Sequence, residues 1–144
     1  MLGFSAKGKK YIYKALIHKS YNENDNNERL EFLGDTILAS VVSEYFYFAN
    51  TNSSEGELSK KRDAVINRKN LNQISKEIFI DIDLKHKTKT ISDNMYGDFL
   101  EALVGAIFLE AGYEEAKRFV KKKIINQHSY DQKPMQDFKA MLIL

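Results

Sequence analysis

At 144 residues with 43% hydrophobic side chains, the chain is long enough to close one core without covalent staples. It has no cysteine, which excludes a disulfide framework, a thiolate zinc site and thiol catalysis and suits a reducing compartment. The net charge of +2 conceals two basic stretches: residues 57–90 carry nine Lys or Arg against five acids, and residues 115–139 carry seven against three.

From the N-terminus, 3.6-residue periodicity predicts a helix over Lys7 to Lys19, after which "NENDNN" (22–27) reads as a polar turn able to cap the next helix. That helix runs from about Asn27 to Ala49 and stops at "NTNSS". Ser54 and Glu57 have the spacing of a capping box and open a helix to about Asn67. A further helix spans Leu71 to Phe79, and "IDIDLKHKTKTI" reads as extended or irregular. Ser92 caps a helix over Asp93 to Ala111, which Gly112 ends as a left-handed cap. A basic amphipathic helix follows from Tyr113 to about Gln127. The last stretch, "MQDFKAMLIL", breaks off two turns into an apolar helix, so the natural protein is expected to continue. No window reaches membrane-spanning length and no secretory-type leader is present, so a cytoplasmic protein away from membranes is expected.

Two of these helices pose a chemical problem. "RLEFLGDTILASVV" (29–42) and "GDFLEALVGAIFLEAG" (97–112) are apolar nearly all the way round and read as interior helices, yet each carries two acids. At about 100° per residue, Glu31 and Asp35 lie within about 40° of each other, and Asp98 and Glu101 within about 60°. Gly34, Ala102 and Gly105 flank them and would let two backbones come close. Unpaired interior carboxylates cost several kcal/mol each and repel one another. Three arrangements answer that cost: the acids lie exposed, pair with a base, or bind a hard cation. Arg29 points about 160° away from Glu31, and neither helix otherwise supplies a base beside the acids. The cation is therefore preferred. All-oxygen ligands suit Mg²⁺ or Mn²⁺, and the Glu-x-x-His pair of di-iron bundles and the HExxH zinc motif are both absent. With Glu31, Asp35, Asp98 and Glu101 neutralised by metal, the rest of the chain is strongly basic, as a protein that approaches a polyanion would be.

These segments also resemble a family. "NERLEFLGDTIL" (27–38) is similar to the signature stretch of the ribonuclease III endonuclease domain, and "ALIHKSY" (15–21), "EGELSKKR" (55–62) and "GDFLEALVGAIFLEAGY" (97–113) follow in that family's order and spacing. The resemblance implies an all-α endonuclease domain over residues 1–128 that forms a two-fold homodimer. Residues 129–144 would be a linker and the start of a truncated double-stranded RNA-binding domain, since "DFKAMLIL" resembles that domain's opening helix. It implies Glu31, Asp98 and Glu101 as magnesium ligands, with Asp35 helping to hold a second ion, and all four as catalytic acids. Phe32 matches the aromatic that enters the partner subunit, and Glu28 and Glu55 match further acids near the cleft. His18 also matches a family position, although a lone histidine is more often structural. Ile17 departs from the family's usual threonine.

The implied activity is Mg²⁺-dependent cleavage of double-stranded RNA, leaving 5′-phosphate and 3′-hydroxyl ends with short 3′ overhangs, in processing of rRNA or mRNA, without an organic cofactor. Lys60, Lys61, Arg62, Lys85, Lys87 and Lys89 are the candidate RNA contacts. The alternatives are a non-catalytic RNA-binding module of the same fold, expected to lack one or more of the four acids, and a purely structural helical dimer.

Overall fold

The computed structural model describes residues 9–126. Six α-helices follow in order: α1 (Lys10–Ala15), α2 (Glu28–Ala49), α3 (Glu55–Ile66), α4 (Arg68–Ile78), α5 (Asp93–Ala111) and α6 (Tyr113–Val120), the last running into a π-helical turn, Lys121–Ile125. Among the described residues there is no β-strand, only an isolated parallel bridge between Ile17 and Lys85. No helix among them is long and apolar enough to cross a membrane.

The molecule is organised around α5, against which α1, α2, α4 and α6 all pack. Every residue of α5 from Phe99 to Ile107 is buried, which accounts for the near absence of a polar face in its sequence. The closest crossing is with α2. A Cβ added at Gly34 would sit 1.7 Å from the Glu101 carbonyl oxygen, and one at Gly105 would sit 2.4 Å from the Leu30 carbonyl oxygen. The two glycines thus let one helix backbone rest on the other. Unlike α5, α2 is not an interior helix all round: Phe32, Asp35, Thr36 and Ser40 are exposed along one edge, and Tyr47 and Phe48 near its end.

Capping accounts for the boundaries of the helices that surround the site. Ser54 Oγ accepts from the Glu57 N–H at 3.2 Å while Glu57 Oε1 accepts from the Ser54 N–H at 2.8 Å, completing the reciprocal box. Asn67 accepts from the Asn70 N–H, so α4 begins at Arg68 rather than at Leu71. Ser92 caps α5 through the Met95 N–H. Helix α1 is shorter than its periodicity implied, because the chain turns extended at Ile17 to pair with Lys85. Gly112 has φ of 92° with ψ of 175°, a conformation open to glycine but extended rather than left-handed helical. The capping role expected of "NENDNN" is shared out: Asn26 Oδ1 accepts from the Glu28 N–H, whereas buried Asn27 donates from its side chain to the Ala15 carbonyl and ties α2 back to α1. The predicted helix residues 7–8 and 127 and the whole of 129–144 lie outside the described residues.

Candidate metal centre

All four acids face one open cavity of about 530 Å³, walled by α2, α5, the start of α4 and the His18 to Lys19 turn. One carboxylate oxygen from each of Glu31, Asp98 and Glu101 lies within 4.8 Å of the others. The close α2 to α5 crossing causes this, since Gly34 bears directly on the Glu101 carbonyl. Asp35 stands outside the three-oxygen cluster but hydrogen-bonds Glu101 through its side chain. The acids are less interior than their helices implied. Glu101 is 4% exposed, Glu31 and Asp98 are half-buried, and Asp35 faces solvent.

This setting favours the protonated form of two of the acids, Glu101 and Glu31. Burial pushes the Glu101 carboxyl up to about 8, helped by the hydrogen bond and charge of Asp35 and opposed by Arg68. Burial likewise raises Glu31 to about 7, with the charge of Asp98 and a hydrogen bond to it acting in the same direction. Such a cluster is short of positive charge by its own geometry. A hard divalent cation, which takes carboxylate oxygens in preference to nitrogen or sulfur, would supply it.

Neither acid-bearing helix supplies a base, but a third helix does, through Arg68. As the first residue of α4, it reaches across α5, placing Nη1 3.1 Å from Asp98 Oδ1 and Nη2 3.2 Å from Glu101 Oε1. Pairing with a base is therefore present, on two of the three carboxylates whose oxygens converge. Sequence reading missed Arg68 because the partner lies on another helix, at a distance of 33 residues from Glu101. The usable signal was Asn67, whose capping character places Arg68 at the head of a helix.

Phe32 is 80% exposed at the mouth of the same cavity, beside Glu31. Glu28 also lines it and approaches Lys19 at 3.7 Å. His18 is on the wall, its Nδ1 2.8 Å from Ser20 Oγ and its ring 6.3 Å from that of Phe99; burial, then the nearby charge of Lys19, lowers its pKa. Glu55, Lys60, Lys61, Arg62, Lys85, Lys87 and Lys89 do not line the cavity. The first four belong to α3, where Arg62 pairs with its neighbour Asp63. Lys85 pairs with Asp83 at 2.6 Å, yet its backbone bonds with Leu16 and His18 hold the 85–87 segment against the cavity wall. Lys87 lies over the Tyr21 ring at 5.6 Å, and Lys89 is exposed.

A protein family described as Ribonuclease-III-like matches residues 9–128. The chain belongs to the ribonuclease III family. A ribonuclease 3 of Bacteroides thetaiotaomicron is 39% identical over 136 residues, covering 89% of this chain and 44% of that protein. The chain thus spans about half the length of the curated relatives it matches. Among solved structures, a nuclease domain of ribonuclease III from Campylobacter jejuni, described for flexibility in a region involved in dimer formation, superposes with a TM-score of 0.78 at 36% identity, covering 88% of this chain and 92% of that one. Dicer from Pichia stipitis superposes with a TM-score of 0.61 at 28% identity, covering 87% and 61%. The all-α ribonuclease III nuclease fold expected from the four sequence blocks is therefore the fold found.

Proposed function

We propose that this chain is the catalytic domain of a divalent-metal-dependent endoribonuclease that hydrolyses double-stranded RNA to 5′-phosphate and 3′-hydroxyl ends with short 3′ overhangs, working as a homodimer in cytoplasmic processing of rRNA or mRNA. The observation that carries the reading is the convergence of Glu31, Asp98 and Glu101 oxygens within 4.8 Å of one another in the wall of an open cavity. Mg²⁺ or Mn²⁺ held there would activate water for in-line attack on phosphorus and neutralise charge on the departing 3′-oxygen. Glu101, fixed by its burial and by Asp35, sets the floor of the site; Glu31 and Asp98 face each other across it. Asp35, exposed at the cavity, would help to hold a second ion. No side-chain nucleophile is required.

Double-stranded RNA would be read by shape, phosphates and 2′-hydroxyls. Lys85, Lys87 and Lys89, in the segment tied by backbone bonds to Leu16 and His18, and Lys60, Lys61 and Arg62 on α3 are the candidate phosphate contacts. The alternative of a non-catalytic RNA-binding module expects a broken acidic set, and here Glu31, Asp35, Asp98 and Glu101 are all present and line one cavity.

The test is incubation of end-labelled double-stranded RNA with the chain in Mg²⁺, in Ca²⁺ and in EDTA. Discrete cleavage with 5′-phosphate ends in Mg²⁺, and binding without turnover in Ca²⁺, is the expected result, since the larger ion relaxes the geometry that in-line attack requires. Binding in all three conditions with no cleavage in Mg²⁺ overturns the reading in favour of the binding module.

A further inference from the structure

Arg68 meets the acidic cluster from a third helix, and its path is built into the fold. Its side chain crosses α5 at Gly97, where an added Cβ would come 2.4 Å from Nη1. A side chain at position 97 would push it off Asp98 and Glu101. The guanidinium is not sealed in, being 43% exposed. It also stands on a divide. On one side is the acid cavity; on the other is a groove of about 560 Å³ between α4 and the start of α5, lined by Arg68, Lys69, Asn72, Gln73, Lys76, Asp93 and Asn94. The one carboxylate there, Asp93, is already engaged by Lys76 at 2.6 Å.

Arg68 and a divalent ion would compete for the same two carboxylates. Its two prongs hold Asp98 Oδ1 and Glu101 Oε1, and the cluster's oxygens spread to within 4.8 Å. Octahedral Mg²⁺ at about 2.1 Å per ligand brings even opposite oxygens to about 4.2 Å, so the acids must draw in as the ion binds. A guanidinium left between them would repel the ion at close range. Once displaced, it faces the α4 groove, where Lys69 adds positive charge and no free carboxylate receives it. A phosphate would, since the planar fork matches its oxygens.

We propose that Arg68 is an exchangeable counter-ion: a divalent cation displaces its guanidinium from Asp98 and Glu101, and a phosphate of bound RNA takes it up on the α4 side. Arg68 is then a positioning residue that weakens metal binding to the free domain and links metal loading to RNA binding, each favouring the other. This inference rests on the metal-site reading above.

The experiment measures Mn²⁺ affinity without RNA, by spin-resonance titration of the free ion, for the chain and for Arg68→Gln, Arg68→Lys and Glu101→Gln. Arg68→Gln is expected to bind Mn²⁺ about tenfold tighter, within the usual range of coupling between linked sites. Arg68→Lys, which keeps the charge and loses the fork, is expected to fall between the two, and it carries the same comparison if the glutamine variant fails to fold. The second readout is double-stranded RNA affinity in Ca²⁺ against EDTA. The chain should gain affinity with Ca²⁺, and Arg68→Gln should lose most of that gain while circular dichroism stays unchanged. Equal or weaker Mn²⁺ binding by folded Arg68 variants, or an undiminished Ca²⁺ gain, overturns the exchange and leaves the metal site standing. No Mn²⁺ binding by the chain, or binding that Glu101→Gln does not weaken, removes the metal site and the exchange with it.

Discussion

At the scale of single residues, Glu101 concentrates the chemistry: it is the most buried of the four acids, yet its carboxylate touches Arg68 and Asp35 at once. Glu101→Gln keeps the volume and removes the ligating charge. Cleavage is expected to fall below about a hundredth of the unmutated rate, since metal catalysis contributes several kcal/mol of transition-state stabilisation, with the thermal unfolding curve little changed; cleavage within a few-fold of the unmutated chain would take Glu101 out of the site. The raised values of Glu31, about 7, and Glu101, about 8, set a pH dependence whose sign is fixed. Groups that hold their protons more tightly when folded favour the fold below the ordinary carboxylate value of 4.5, and that contribution is lost as pH rises through 7 and 8. Mg²⁺ must displace those protons at low pH and relieves carboxylate repulsion at high pH. The rise in melting temperature on adding saturating Mg²⁺ should therefore be larger at pH 8 than at pH 6, as scanning fluorimetry would show; an equal rise at both pH values would mean the two carboxylates do not exchange protons for metal.

Between helices, the decisive contact is glycine on backbone. Gly34→Ala puts a methyl carbon 1.7 Å from the Glu101 carbonyl oxygen, which no rotamer change relieves because both partners are main chain. Overpacking of that kind costs about 3 kcal/mol or more and would shift Glu101 relative to Glu31. Gly34→Ala should lower the melting temperature by several degrees and weaken Mg²⁺-induced stabilisation together; a variant as stable and as metal-responsive as the parent would show that α2 and α5 separate without consequence. The same crossing shows what was legible in the sequence. Gly34, Ala102 and Gly105 beside the acids announced a close approach, Ser54 with Glu57 and Ser92 fixed two helix starts, and the 40° and 60° acid spacings placed both pairs on facing surfaces. What escaped reading depended on partners distant in the chain. Helix α1 ends early because Ile17 is drawn to Lys85, Asn27 spends its side chain on Ala15, and Arg68 finds its acids on α5. The interior reading of α2 failed along one edge because periodicity alone does not tell a buried face from an apolar face awaiting cover.

For the molecule as a whole, that uncovered edge is the strongest argument for assembly. Phe32 is 80% exposed although it lines the acid cavity beside Glu31, near the start of α2. One copy of Glu31, Asp35, Asp98 and Glu101 makes one site, whereas cutting both strands of a duplex in a single encounter needs two, and a symmetric interface supplies the second. The basic segments act at this scale too: Lys85, Lys87 and Lys89 from each of two subunits would flank the duplex, so binding should weaken steeply between low and physiological salt as counterion release is lost. An affinity indifferent to salt would dismiss those segments as RNA contacts. The proposed dimer places Phe32 in a pocket of its partner, where truncating a buried interface aromatic typically costs about 2 to 4 kcal/mol of association. Phe32→Ala removes no metal ligand and, starting from an exposed side chain, should leave the monomer's stability nearly unchanged. Sedimentation at micromolar protein should then move from dimer toward monomer, and paired cuts should give way to single-strand nicks, because each separated subunit keeps its own four acids. A parent chain that sediments as a monomer at high concentration, or a Phe32→Ala variant that remains dimeric and still makes paired cuts, would remove Phe32 from the interface.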